Sequence, residues 1–352
     1  PVAVVGRICN RKTAENIIAS GKADLVAMGR ALLADPFLPA KLAEGRDDEI
    51  LTCIGCNEGC TGMLNECRPI SCALNPRTGY EDDYPMTQAD APKAVVVIGG
   101  GPAGCEAALT AAQRGHKVVL FEATSTLGGL ANIAALPPGK GVFATLGTYF
   151  SAMLPRAGVD VRLNTKADAD AVRALHPDHV IVATGGTPIV PRFCADSPVV
   201  LAQDILTGAA QAGSRVLVIG GGLVGSETAE FLADKGREVT VVELRDGIAL
   251  DMEYKTRQML MPKLAALGVV CLTETEVLEI GCNGNVKVKT PYLEKELSGF
   301  DTVVVALGYR PDAALCADLA AADIDFVQVG DCKKVGKIIN GVWEAFQLAY
   351  RI

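Results

Sequence analysis

Two kinds of apolar run alternate along the chain. Short continuous stretches of Val, Ile and Leu, bounded by glycine, read as buried strands, and the longer Ala-, Leu- and Glu-rich stretches between them read as helices. Residues 1–45 give strand, helix, strand, helix in PVAVVG, TAENIIASG, ADLVAMG and LPAKLAEG. Two βα units cannot close a sheet with both faces covered, so they should belong to a barrel or pack on the rest of the chain. From about 46 to 92 the periodicity disappears and Cys, Gly, Asn and Pro take over. That segment needs another source of order.

From Lys93 onward the pattern repeats. VVVIGGGPAGCEAALTAAQRGHKVVLFE (95–122) is echoed by VLVIGGGLVGSETAEFLADKGREVTVVE (216–243) at a constant offset of 121. Ala183-Thr184-Gly185, after one Val/Ile strand, corresponds to Ala306-Leu307-Gly308 after another, at an offset of 123. Register kept over that length predicts two successive βαβ mononucleotide folds, an α/β architecture of tandem Rossmann-like units.

Each copy carries G-x-G-x-x-G between strand and helix: Gly99, Gly101 and Gly104, then Gly220, Gly222 and Gly225. The first glycine allows a tight turn, the second lets backbone approach a pyrophosphate, and the third lets helix and strand pack closely. Eighteen residues after the last glycine stand Glu122 and Glu243, where a strand-end carboxylate can accept from ribose hydroxyls. Near the C-terminus, Gly330-Asp331 in FVQVGDC ends a strand before the apolar run IINGVWEAFQLAYRI. Beside the duplication and the Ala183-Thr184-Gly185 turn, Asp331 reads as an acceptor for a flavin's ribityl chain, with a capped turn as the plain alternative.

Composition narrows the chemistry. The 352 residues are 49% hydrophobic and 21% charged, with 37 Gly and a mean hydropathy of +0.27, which excludes disordered and collagen-like chains. A formal net charge of −8 without any Lys/Arg run argues against nucleic acid or an anionic membrane as partner and favours small molecules. No apolar stretch suggests a spanning helix and no leader pattern is visible, so a cytoplasmic protein is expected. A first residue that is Pro, directly in a strand-like run, suggests the later part of something longer.

Five of the 12 cysteines lie between Cys53 and Cys72. Cys53, Cys56, Cys60 and Cys72 give C-x2-C-x3-C-x11-C, in which close spacings let thiolates converge on an iron–sulfur cluster and a distant fourth ligand closes the loop. Structural zinc is the rival, though only Cys53 and Cys56 form a CxxC pair, and Cys67 competes as fourth ligand. Cys9, Cys105, Cys194, Cys271, Cys282, Cys316 and Cys332 read as small buried side chains or unremarkable surface thiols. His116, His176 and His179 read as solvated loop residues. With no CxxC or CxxxxC beside either nucleotide fold, the dithiol of a disulfide reductase is not expected. Gly6-Arg7 and Gly29-Arg30 each follow a strand; such pairs can grip a phosphate, and ordinary βα turns with surface arginines are the plain reading.

GKADLVAMGRALLADP, TCIGCNEGC with the later SCALNP, and VVVIGGGPAG together resemble the multidomain NADH:flavin oxidoreductases of the old yellow enzyme superfamily, which include 2,4-dienoyl-CoA and enoate reductases and, more distantly, trimethylamine dehydrogenase. The resemblance implies that residues 1–45 are the last two βα units of a TIM barrel whose first six are absent, with Gly6, Arg7, Gly29 and Arg30 on an FMN phosphate. It implies a [4Fe–4S] cluster on Cys53, Cys56, Cys60 and Cys72, the last preceding Asn75-Pro76 as the family's fourth ligand does, with Cys67 outside the pattern. It implies FAD on the Gly99–Gly104 turn, including Ala103, on Glu122 and on Gly129-Leu130, where Leu130 stands in place of the family's Gln.

The resulting domain expectation is a barrel segment at 1–45, a cluster segment and linker at 46–92, an FAD fold at 93–212 and 300–352, and an NAD(H) fold at 213–299. Electrons would pass from NADH (NADPH being the less favoured donor) to FAD, the cluster and FMN, and so to an activated C=C bond of an enoate or enoyl thioester. The catalytic acid would lie in the barrel, on none of these residues. Two alternatives stand: an amine dehydrogenase with ADP in the first fold, and a noncatalytic nucleotide-binding module for electron transfer. The oligomeric state is not legible.

Overall fold

The computed structural model describes residues 1–352 except 195, 196, 198, 282 and 283, so the expectation for Cys282 falls outside the described residues. The chain forms two compact units: Pro1–Asn132 with Val142–Gly186 and Pro311–Ile352, and Ile133–Gly141 with Thr187–Arg310. No helix among the described residues is long and apolar enough to cross a membrane.

The first unit contains a five-stranded parallel sheet in the order Val327–Gln328, His179–Val182, Ala94–Ile98, Lys117–Phe121, Asp160–Arg162. Its central strand shows why the sequence runs apolar without alternation. Val95 and Val97 enter one core with Leu109, Leu120 and Phe150, while Val96 and Ile98 enter another with Phe121, Val172 and Leu319. Both faces are covered, as a parallel sheet requires. The helix Pro102–Gln113 follows the central strand, with proline in its first turn, where a missing N–H costs no helical bond.

Ahead of that sheet, Ala3–Val5 pairs in parallel with Leu25–Ala27, flanked by helices Arg11–Ala19, Gly29–Ala34 and Leu38–Ala43. Val5 and Leu25 are exposed. The segment 46–92 has only short helical turns, and its order comes from the unit's last helix, Ile338–Tyr350. Tyr80 packs edge-on against Trp343, and Tyr84 against Phe346 and Tyr350.

The second unit repeats the plan with the order Val270–Leu272, Glu238–Val242, Arg215–Ile219, Thr302–Val305, Val199–Leu201, all parallel. Val216 and Val218 face one core, Leu217 and Ile219 the other. A three-stranded antiparallel sheet, Glu276–Ile280, Val286–Lys289 and Glu294–Leu297, completes it. The unit extends beyond the 213–299 span read from sequence, because Val199–Leu201 and Thr302–Val305 pair with each other inside this sheet.

Two minor readings need correction. His116 is buried, not solvated: it precedes strand Lys117–Phe121, its Nδ1 lies 3.1 Å from the Lys93 amide, and burial lowers its pKa. His179 opens a strand and meets the Lys93 ammonium at 3.2 Å; His176 alone is exposed.

Candidate functional site

In each unit the glycine-rich turn sits where the chain leaves the central strand, beside the point at which strand order reverses. Ligands of open α/β sheets bind at such a switch point. The turn closes by contact. A Cβ on Gly99 would lie 2.2 Å from the Ala183 carbonyl oxygen, and one on Gly104 would lie 1.9 Å from the Gly99 carbonyl oxygen. The second copy repeats both: 2.6 Å from Gly220 to the Ala306 oxygen, and 1.8 Å from Gly225 to the Gly220 oxygen. The Ala183-Thr184-Gly185 and Ala306-Leu307-Gly308 turns are thus the floor on which the first glycines rest. Thr184 Oγ1 donates to the Asp312 carbonyl at 2.8 Å.

Gly101 differs from its neighbours in the first copy, since a Cβ there would meet nothing within 4 Å. The backbone at the helix start is open to a phosphate. Around it, Gly129 would bring a Cβ to 3.0 Å from the Gly101 Cα, and Leu130, half-buried, begins the next short helix. Ala103 nests against Gly330 and Gly341, where glycine Cβ atoms would come to 3.0 and 3.3 Å of its methyl. The Gly330 amide donates to Glu344 at 2.9 Å, and Asp331 accepts from the Gly336 amide at 3.0 Å. Burial raises the pKa of Asp331.

The strand-end acids are buried and committed to the turn. Glu122 Oε2 accepts from the Gly100 amide at 2.7 Å, while Oε1 accepts from the Thr124 amide and hydroxyl at 2.7 and 2.6 Å. Glu243 Oε2 accepts from Gly221 at 2.7 Å, and Oε1 from the Arg245 amide at 2.8 Å and Nε at 3.3 Å. A carboxylate with three bonds keeps one acceptor direction for a sugar hydroxyl. Gly100 and Gly221, which the sequence reading passed over, make this possible: Cβ atoms there would strike Glu122 Oε2 at 2.8 Å and Glu243 Cβ at 3.0 Å. The signal was the middle glycine of each GGG.

A second pair of duplicated acids lies inside the helices. Glu227 forms an ion pair with Lys140, whereas among the described residues its counterpart Glu106 meets only the Thr110 hydroxyl, at 3.1 Å. Burial pushes the Glu106 carboxyl up from the ordinary 4.5 to about 7. A carboxyl that holds its proton more tightly when folded makes stability fall as pH rises from about 4.5 to about 7. We expect Glu106→Gln to flatten that slope and to stabilise the protein by about 3 kcal/mol at pH 8, read from urea melts at pH 5 and pH 8. An unchanged slope would refute the assignment.

In the second unit, Pro188, Leu201, Gln203, Val224, Ala306, Gly308 and Tyr309 line a shallow pocket beside the glycine turn. In the first unit, Cys53, Cys56, Cys60 and Cys72 line one small pocket with Arg30, Ile54, Ser71 and Leu74. Cys67 is exposed and lies outside it. Among the described residues no three His, Cys, Asp or Glu side chains come together closely enough to hold a single metal ion. The loop is held from several sides. Trp343 Nε1 donates to the Cys72 carbonyl at 2.9 Å, Lys337 pairs with Glu58 at 2.8 Å, and Ser71 Oγ donates to the Gly59 carbonyl at 2.9 Å. Gly59 admits the close pass of Cys72, since a Cβ there would lie 2.8 Å from its carbonyl carbon.

The two arginines read from sequence reach this loop. Arg30 Nη1 donates to Asn57 Oδ1 at 2.5 Å, and the Arg7 guanidinium lies 3.5 Å from a Cβ position on Gly55. Gly6 and Gly29 face open space. Cys9 packs partly buried against Ala31, Leu38 and Ile50 beside Cys53, and the neighbouring Cys9 thiol, the loop amide of Gly55 and the two guanidinium charges lower Cys53 to about 6. Burial pushes Cys56 up to about 12 and raises Cys72.

Residues 93–331 match the model of the pyridine nucleotide-disulphide oxidoreductases, and residues 1–49 match that of the NADH:flavin oxidoreductase / NADH oxidase family. The whole chain aligns with an NADH oxidase of Thermoanaerobacter brockii at 43% identity and with a bilirubin reductase of Mediterraneibacter gnavus at 40%, covering 55% of each. A solved 2-naphthoyl-CoA reductase superposes over the whole chain with a TM-score of 0.94 at 33% identity, covering 54% of that structure. The chain spans about half the length of the proteins it matches.

Proposed function

Because the chain belongs to the pyridine nucleotide-disulphide oxidoreductase family and opens with an NADH:flavin oxidoreductase segment, we propose that it is the electron-input portion of an NADH-dependent iron–sulfur flavoprotein reductase. The observation that carries this reading is the four-cysteine cavity in the same unit as an open glycine turn. FAD is assigned to the first fold, on Gly99, Gly101, Ala103, Gly104, Glu122, Gly129, Leu130, Ala183, Thr184, Gly185, Gly330 and Asp331. NADH is assigned to the second, on Gly220, Gly222, Gly225, Glu243 and Gly308. Cys53, Cys56, Cys60 and Cys72 are assigned to a [4Fe–4S] cluster, and Gly6, Arg7, Gly29 and Arg30 to an FMN phosphate. When bound, these groups supply hydride acceptance from NADH, one-electron transfer, and delivery to an activated C=C bond of the enoate or enoyl-thioester class.

The chain's own groups fit these roles. Backbone N–H groups at the starts of the two long helices offer partial positive charge to a pyrophosphate, and Glu122 and Glu243 keep a free acceptor for ribose. The four thiols line one pocket, and only Cys53 and Cys56 form a CxxC pair, a spacing that favours a cluster over one zinc ion. Arg7 and Arg30 place positive charge beside Cys53. The second fold retains every motif glycine and its acid, which favours an NADH donor over the amine dehydrogenase alternative. Glu243 would repel a 2′-phosphate, and Arg245 is already paired with it, so kcat/KM should be about tenfold higher with NADH than with NADPH in a dye-reduction assay. Preference for NADPH would overturn the assignment of Glu243.

A further inference from the structure

The two glycine turns are near copies, and the differences between them are informative. The offset of 121 persists beyond the strand-end acids. Leu127 and Ile248 cover Gly100 and Gly221 alike, and the Gly128 amide donates to the Gly100 carbonyl at 2.8 Å as the Ala249 amide does to Gly221 at 2.7 Å. Two residues further on, the copies part: Leu130 in the first corresponds to Asp251 in the second.

Asp251 reaches the place that the first copy leaves open. Its Oδ1 accepts from the Leu223 amide, the first of the helix Leu223–Asp234, at 2.9 Å. Its Oδ2 lies 3.2 Å from a Cβ position on Gly222, whereas the equivalent position on Gly101 meets nothing within 4 Å. Arg245, fixed to Glu243, also turns to it, with Nη2 at 3.7 Å from Oδ1. The helix N-terminus and the nearest cation are thus both engaged by a carboxylate of the chain.

We propose that Asp251 is an internal stand-in for a dinucleotide phosphate at the second turn, so that the nucleotide binds there by displacing it. This rests on the reading of the second fold as the NAD(H) site. The first turn, with leucine at the same place, holds its dinucleotide without competition. One duplicated fold thereby serves a retained cofactor and the other an exchanging substrate: the carboxylate returns to the Leu223 amide and Arg245 as the oxidised nucleotide leaves.

The test is ADP-ribose and NADH binding, by calorimetry, to the FAD-loaded chain and to Asp251→Asn and Asp251→Ser. Asn keeps an acceptor for Leu223 and removes the charge; Ser shortens the side chain. Both variants should bind ADP-ribose about three- to tenfold more tightly, with unchanged FAD content, and should show stronger product inhibition by NAD+. The converse variant, Leu130→Asp, should lower FAD retention. Unchanged or weaker ADP-ribose binding in both Asp251 variants, the outcome for a mere helix cap, would overturn the proposal. Failure of wild type and variants alike to bind ADP-ribose would instead overturn the second fold as the NAD(H) site.

Discussion

Cys72→Ser should strip the purified chain of iron and acid-labile sulfide, while Cys67→Ser leaves both at the wild-type level. Cys72 lines the cavity with Cys53, Cys56 and Cys60, and its carbonyl is fixed by Trp343 and its backbone by the close pass of Gly59. Cys67 sits exposed in a left-handed conformation at φ 56°, and nothing directs it inward. The loss in Cys72→Ser should therefore be essentially complete by iron and sulfide analysis. Zinc in the wild type, or loss of iron in Cys67→Ser with retention in Cys72→Ser, would refute the ligand set.

Two alanine substitutions three residues apart, at Gly104 and Gly101, should differ in their effect on stability. In Gly104→Ala the new methyl would overlap the Gly99 carbonyl oxygen, a backbone atom that cannot rotate away, so the turn must open. Overpacking of that kind costs about 3 kcal/mol, and the flavin site is lost with it. Gly101→Ala meets open space, and its φ of −72° suits alanine, so thermal stability of the flavin-free chain should stay within about 0.5 kcal/mol of wild type. Its methyl nevertheless points into the phosphate approach, and FAD affinity should fall at least about tenfold. Calorimetry with a flavin titration separates the two. Full FAD affinity in Gly101→Ala would remove the pyrophosphate from this turn.

The duplicated strands, turns and acids were legible because close backbone packing leaves a rigid signature: Gly99, Gly104 and Glu122 recur as Gly220, Gly225 and Glu243 at a fixed offset. Gly100 and Gly221 escaped because the motif treats the residue between the first two glycines as free, although the acid needs it bare. What orders the cysteine loop was less visible. Trp343, Phe346 and Tyr350 lie at helical spacing and grip Tyr80, Tyr84 and Cys72, but a sequence shows such a stripe only as an apolar helix face. Asp251 carries no motif at all, and its meaning comes from comparing two copies in space. His116 was misread for the same reason: burial and a partner far along the chain leave no local pattern.

The central claim is that this chain takes electrons from a nicotinamide nucleotide onto a flavin held in the first fold. Anaerobic titration of the FAD-loaded chain with NADH, followed by the flavin's visible absorbance, tests it most directly. The flavin should bleach with about one NADH per FAD, and a soluble dye should then be reduced catalytically. Bound FAD that stays oxidised in excess NADH would contradict the account.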